Sequence, residues 1–371
     1  MGNKFYKVAA MTALGLCLTA GAAQAQVKIG VAGPMTGSNA AFGTQLVNGA
    51  NQAVADLNAH GGVLGKKVEA ITVDDACDPK QAVTVANQLV ADHVVMVDGH
   101  FCSASTIPAS KVYSENGILE ISPASTNPQY TDQGSWNTFR VCGRDDEQGK
   151  VAANYIKAHF AKDKIAVLDD NSTYGKGIAD QVRMNLKKLG VKVAYNASYT
   201  AGEKDYSALI SRLKQDGIGL VYIGGYYADA GIMEREGAAQ GYHPQYFGED
   251  AMATDQLWQI AGPAAQGMLF TFPPPAEKSP SAAAVVKELS AKGQNPGGYV
   301  LYSYATIQVW AEAAKKAHSI KPLVVAKELK AGGPWNTVLG EIRFNKIGDV
   351  VPAAYAIYIW NNGKYTVHAM H

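Results

Sequence analysis

The stretch Val94-Val95-Met96-Val97-Asp98-Gly99-His100-Phe101-Cys102-Ser103-Ala104-Ser105-Thr106 decides how the chain folds. Its first four residues are a short apolar run, the pattern of a strand buried on both faces. Hydroxyl residues then gather where the pattern turns helical, from about Ser103. Strand, hydroxyl-rich loop and helix in that order form half of a βαβ unit. The order repeats outward. Residues 27–32, 68–73 and 118–121 read as strands. Leu46, Ala50, Val54 and Leu57 keep helical spacing until Gly61-Gly62, and Pro79 opens a helix through Val83, Ala86, Leu89 and Val90.

A second series starts near residue 145. A helix from Asp145 is followed by strand 164–168, a helix from Tyr174 to Gly190, strand 191–195 and helix 205–215. Strand 219–223, helix 228–240 and strand 245–248 continue it. Such alternation predicts parallel sheets with right-handed crossovers, and two series predict two α/β lobes. After 267–272, Pro273-Pro274-Pro275 suits a stiff crossing. A helix-rich stretch over about 281–330 and strands 340–344 and 353–360, with a turn at Asn361-Asn362-Gly363, complete the pattern.

Composition narrows the function. The 371 residues hold 33 Lys+Arg against 32 Asp+Glu, which is no partner for nucleic acid. Lys4 and Lys7, an apolar run over 8–20 and Ala23-Gln24-Ala25 read as a cleavable signal peptide that makes Gln26 the new N-terminus. The later chain has no long apolar run, so a soluble secreted product is expected. Cys17 leaves with that leader. Cys77, Cys102 and Cys142 then allow three pairings, of which Cys77 with Cys102, both in loops after strands, is favoured.

Catalytic signatures are missing. There is no G-x-S-x-G, no H-E-x-x-H and no G-x-G-x-x-G after the first strand, and the eight His lack metal-ligand spacing. Residues 61–67 (GGVLGKK) read as a helix stop and turn, and Asp74-Asp75 as capping and loop hydrogen bonds. No metal and no cofactor is expected. A two-lobed α/β chain of this kind is more simply a binding protein, with its cleft at the carboxyl ends of the strands. There the loops at 99–106 and 122–127 offer hydroxyls and helix N-termini to an anion, unless they serve only as caps. Gly224-Gly225-Tyr226 and Gly248-Glu249-Asp250 offer a phenol and a carboxylate to an ammonium, unless Asp250 only caps the segment from Ala251.

Four stretches are similar to the periplasmic leucine/isoleucine/valine-binding proteins of ABC importers. They are Asp74-Asp75-Ala76-Cys77-Asp78-Pro79-Lys80-Gln81-Ala82-Val83, the run at 102–106, Ala201-Gly202-Glu203-Lys204-Asp205-Tyr206-Ser207 and Tyr222-Ile223-Gly224-Gly225-Tyr226. The resemblance runs from Val27 to the tail. It implies a type I periplasmic binding protein fold with three hinge crossings, near 143–146, 272–275 and 350–353. Lobe 1 would be 26–144 plus 274–351, and lobe 2 would be 145–273 plus 352–371. It implies a free amino acid as ligand, a membrane permease as partner and a periplasmic monomer. It also implies a Cys77–Cys102 bridge. Ser103 and Thr126, with backbone near Phe101 and Ala124, would hold the ligand carboxylate; Tyr226 and Asp250 would meet its ammonium. Phe42, Cys102, Ser125, Tyr174 and Tyr299 would wall the pocket.

Three departures bear on the ligand. The family's acidic Glu is Asp250, its Leu beside the bridged Cys is Phe101, and its Phe near 299 is Tyr299. Added volume in a packed pocket costs about 1–3 kcal/mol, which weakens leucine by about tenfold or more. Small or slender ligands such as alanine, serine, threonine, valine or γ-aminobutyrate are expected, with standard Leu/Ile/Val binding as the alternative if Phe101 turns away. An amidohydrolase-like enzyme, a receptor sensor domain and a sugar-binding component are the competing classes. The first lacks a legible nucleophile or metal, the second a membrane helix, and the third paired charges.

Overall fold

A computed structural model describes Gly2 and residues 26–370. Apart from Gly2, the expected signal peptide lies outside the described residues.

Strands β1 (Val27–Gly33), β2 (Val68–Asp74), β3 (Met96–Gly99), β4 (Leu119–Ser122) and β5 (Thr138–Arg140) form one parallel sheet. Their order is β2-β1-β3-β4-β5, which reverses direction between β1 and β3. Both faces are covered, so β1, β3, β4 and β5 are buried almost throughout, while the edge strand β2 is partly exposed. Ala32, Val73 and Val97 pack with Leu89 and Tyr113 on one face. Val27, Ile29 and Val31 join the larger core with Phe42 and Leu46 on the other.

The second sheet takes β6 (Ile165–Asp169), β7 (Val193–Ser198), β8 (Leu220–Gly224), β9 (Gln245–Gly248) and β10 (Leu269–Phe272). A small separate sheet follows, from β11 (Trp335–Thr337), β12 (Gly340–Phe344) and β13 (Val350–Val351). The chain then returns to the second sheet with β14 (Ala356–Asn361) and β15 (Lys364–Met370), giving the order β15-β14-β10-β9-β8-β6-β7. Here β14 runs antiparallel to both of its neighbours.

Three crossings join the sheets, over 141–144, 273–275 and 352–355. They lie against one another. A Cβ on Gly143 would sit 2.6 Å from the Tyr355 ring, so the first and third crossings touch there. The Tyr358 hydroxyl donates to the Pro273 carbonyl at 2.7 Å and holds the second. After that second crossing the chain rejoins the first sheet's layer. Helix Val300–Lys316 packs on helix Ala40–Ala59 at Gly49, where a Cβ would lie 2.1 Å from the Val300 carbonyl oxygen. The expected alternation is present, with boundary differences. The strand expected at 94–97 is Met96–Gly99, because Val94 still closes the preceding helix by donating to Leu89. Strands β5, β11, β13 and β15 have no counterpart in the sequence reading.

Candidate functional site

The carboxyl ends of β3 and β4 face those of β6, β8 and β9. Phe101, Ser103 and Ala124 from the first side, and Tyr174, Tyr226, Asp250 and Ala251 from the second, enclose one space of about 10 Å³. That is roughly the room a single water needs, so the two sides are drawn together over it.

The first side is a neutral hydroxyl cage. The His100 carbonyl accepts from Thr106 Oγ1 (3.1 Å), Ser122 Oγ (2.7 Å) and Ser125 Oγ (3.1 Å). The Ser125 hydroxyl also reaches the Phe101 carbonyl at 3.0 Å. Buried Arg140 donates to the carbonyls of Ser125 (2.7 Å) and Asn127 (3.0 Å) and pairs with Asp349 at 2.8 Å. Beneath the loop, His100 bridges the Asp75 carboxylate (2.6 Å) and the Tyr113 hydroxyl (2.9 Å). Asp75 also accepts from the Cys77 amide, and Cys77 is disulfide-bonded to Cys102. Ser103 is thus fixed as the first residue of helix Ser103–Glu115, whose Cys102 N-cap provides no side-chain hydrogen bond. Amides at such an end favour negative charge.

The second side is acidic. Asp250 is 2% exposed; Tyr174 donates to its Oδ1 at 2.9 Å and Tyr299 to its Oδ2. Glu249 is fully buried and accepts from the Gly225 amide at 2.8 Å. Asp145, which opens helix Asp145–Phe160, is also fully buried. Burial pushes all three carboxyls upward. The Asp250 charge adds to burial at Glu249 and at Asp145, which is pushed up to about 8. Asp170, at the end of this row, is pushed up to about 6, again mainly by burial. No Lys or Arg lines the enclosed space. A cation entering it would relieve the carboxylates.

Rings close the sides. Phe101 stacks on Phe42 with centroids 4.3 Å apart and meets Tyr299 edge-on at 5.0 Å; Tyr174 and Tyr226 lie 5.2 Å apart. Of the residues singled out from sequence, Phe101, Ser103, Ala124, Tyr174, Tyr226 and Asp250 share the enclosed space. Phe42 and Tyr299 stand behind Phe101, and Cys102 lies in the disulfide. Ser125 turns its hydroxyl away, into the cage. Thr126 is 1% exposed, and its carbonyl accepts from the Asp145 amide at 3.0 Å, across the two sides.

Sequence reasoning missed Arg140, and it read Asp145 only as a helix start and Glu249 only as the neighbour of Asp250. It also missed the contacts that span the sides. They include Tyr299 to Asp250, Asn127 Nδ2 to the Thr173 carbonyl (2.8 Å) and Tyr227 Oη to the Ser38 carbonyl (2.7 Å). Asp74 and Asp75 do hold loop hydrogen bonds, while the helix cap itself is Asp78. Among the described residues no group of three or more His, Cys, Asp or Glu could hold a metal ion, and no helix is long and apolar enough to cross a membrane.

Known proteins are similar to this chain in sequence and in fold. The family model described as "Periplasmic binding protein" matches residues 26–364. Leu/Ile/Val-binding protein homolog 1 of Brucella suis is 48% identical over 343 residues, 92% of each chain. An amino acid binding protein of Pseudomonas aeruginosa is 46% identical over 347 residues, also 92% of each. The branched-chain amino acid transporter substrate binding protein LivJ of Streptococcus pneumoniae, solved in complex with isoleucine, has a TM-score of 0.85. Its identity is 27%, with 94% of this chain and 99% of that one covered. With nearly all its described residues matched and its two sheets joined by three crossings, the chain belongs to the periplasmic binding protein family.

Proposed function

We propose that the protein is the solute-binding component of an ABC amino-acid importer, closing on a free amino acid and presenting it to membrane permease subunits. It is a binding protein rather than an enzyme. One observation carries the reading: a neutral hydroxyl and helix-end surface from one sheet faces buried carboxylates from the other across a single small space. The names of its relatives, Leu/Ile/Val-binding and amino acid binding proteins, support the ligand class. Residues 1–25 would direct the chain to the periplasm and be cleaved after Ala25. Lobe 1, 26–144 plus 274–351, and lobe 2, 145–273 plus 352–371, would swing about the three crossings.

In this reading Ser103 and Thr126, with the backbone at Phe101 and Ala124, donate to the ligand carboxylate. Asp250 is the ammonium counter-charge, and Tyr226 orients the ammonium. A zwitterion satisfies both sides only when the lobes meet, so binding favours the closed form. The wall made by Phe42, Phe101, Tyr174 and Tyr299 narrows the pocket toward alanine, serine, threonine, valine or γ-aminobutyrate. The face-to-face Phe42–Phe101 stack and the edge-on Tyr299 contact support that narrowing, since both back Phe101 where it lines the enclosed space. Calorimetric titration with a panel of amino acids tests it. We expect alanine or γ-aminobutyrate to bind more tightly than leucine; leucine binding tightest would restore branched-chain specificity, and no binding by any member would sink the reading.

A further inference from the structure

Behind the hinge lies a cavity of about 260 Å³ that the amino-acid site does not use. All three crossings line it, through Gly143, Pro274 and Ala354 among others. No Asp, Glu, Lys, Arg or His does. Its proline residues bring ring surface and no N–H, so the wall is mainly apolar. Two hydroxyls interrupt it. Ser279 shares its hydroxyl with Ser281, but Tyr302, only 6% exposed, has no hydrogen-bond partner for its phenol among the described residues. A phenol that opens into a mainly apolar cavity, with its hydroxyl not engaged by another side chain, can recognise a ligand oxygen there.

We propose that this cavity is an effector site for a compact uncharged molecule: one aromatic or alicyclic ring carrying one oxygen that hydrogen-bonds Tyr302. Free amino acids do not fit it, because neither of their charges would find a partner. Its reach to the ligand cleft is short. The Tyr302 ring meets the Tyr299 ring edge-on at 5.6 Å, and the Tyr299 hydroxyl donates to Asp250. The walls also belong to segments that must shift against one another as the lobes part. A molecule that fills the cavity as seen here therefore favours the closed arrangement, and by linkage it tightens amino-acid binding. This coupling rests on the closure reading given above; occupancy of the cavity does not.

Benzyl alcohol is a suitable probe. Ligand-observed NMR on the amino-acid-free protein should show saturable millimolar binding. Tyr302→Phe should weaken it severalfold, and Ala354→Trp, at an exposed position on the rim, should abolish it. Saturating probe should tighten amino-acid binding by roughly fivefold or more in calorimetry. If the chain binds no amino acid, closure can be read instead as a fall in the radius of gyration by small-angle scattering with probe alone. The proposal is overturned by absence of saturable binding to the unaltered protein. It is equally overturned by binding that survives both Ala354→Trp and Ala353→Trp, or by binding that moves neither amino-acid affinity nor lobe closure.

Discussion

The turns after β3 and β4 commit most of their hydroxyls to their own carbonyls, whereas the segments after β8 and β9 bury carboxylates that no side-chain cation pairs. In the first region each buried hydroxyl of Thr106, Ser122 and Ser125 reaches a carbonyl, and the one buried cation, Arg140, already has Asp349. In the second, Glu249 and Asp250 sit side by side and are met by phenols and a backbone amide, while nearby Asp145 is answered by the Thr126 hydroxyl and the more distant charge of Arg140. Burying a carboxylate without a cation costs several kcal/mol, so such a group keeps a proton or waits for positive charge. The contrast divides the labour. In the proposed function, one half of the cleft would act as the template that sets orientation, and the unmet electrostatic need of the other would drive closure.

Breaking the needy half should have the largest effect. Asp250→Ala should weaken amino-acid binding by roughly thirtyfold or more, the loss of one partner of a buried charge pair, while the circular dichroism spectrum stays native. Retained affinity would move the ammonium elsewhere. On the template half, Ser103→Ala or Thr126→Ala should each cost about 1.5–3 kcal/mol, a hydrogen bond to a charged acceptor, read as a weaker calorimetric Kd. Equal losses across neutral and zwitterionic ligands would argue against a carboxylate there.

Phe101→Leu probes the seam between the halves. Leucine affinity should rise about tenfold while alanine changes little, since the substitution removes the ring stacked on Phe42. The smallest expected effect concerns Asp145. Its carboxyl is held near 8 by burial first and by Asp250 second, against an ordinary value of 3.8, with Thr126 and Arg140 opposing. A raised value means that the closed fold gains from the proton at low pH and loses that gain as pH rises through about 8. The melting temperature of ligand-free protein should therefore depend less on pH in Asp145→Asn than in the parent between about pH 5 and 8. Identical slopes would show that Asp145 titrates normally.

Much of this could be read from the chain because parallel strands and their helices announce themselves by period and by apolar runs. The strands that escaped are instructive. Thr138–Arg140 is three residues long and follows a polar stretch, too short for any period to emerge. Lys364–Met370 does alternate, with every second residue exposed, so that signal was present and went unread. Site residues on turns were legible as residue types at strand ends. What pairs with Asp250 was not, because Tyr299 lies 49 positions away and on the other side of the cleft. Arg140 was invisible for a similar reason: its partner Asp349 is brought to it only by the turn between β12 and β13, about 200 residues on.

The last return of the chain, to the second sheet, has a consequence for biogenesis. Strand β10 pairs with β14, and β14 with β15, so residues 356–370 supply two of the seven strands in the second sheet. The first layer likewise waits for helix Val300–Lys316 to cover Ala40–Ala59. A polypeptide emerging in order from a ribosome or a translocation pore thus has neither half fully assembled until most of its length is through. It stays threadable until then, and it locks up only once its last strands are free to pair.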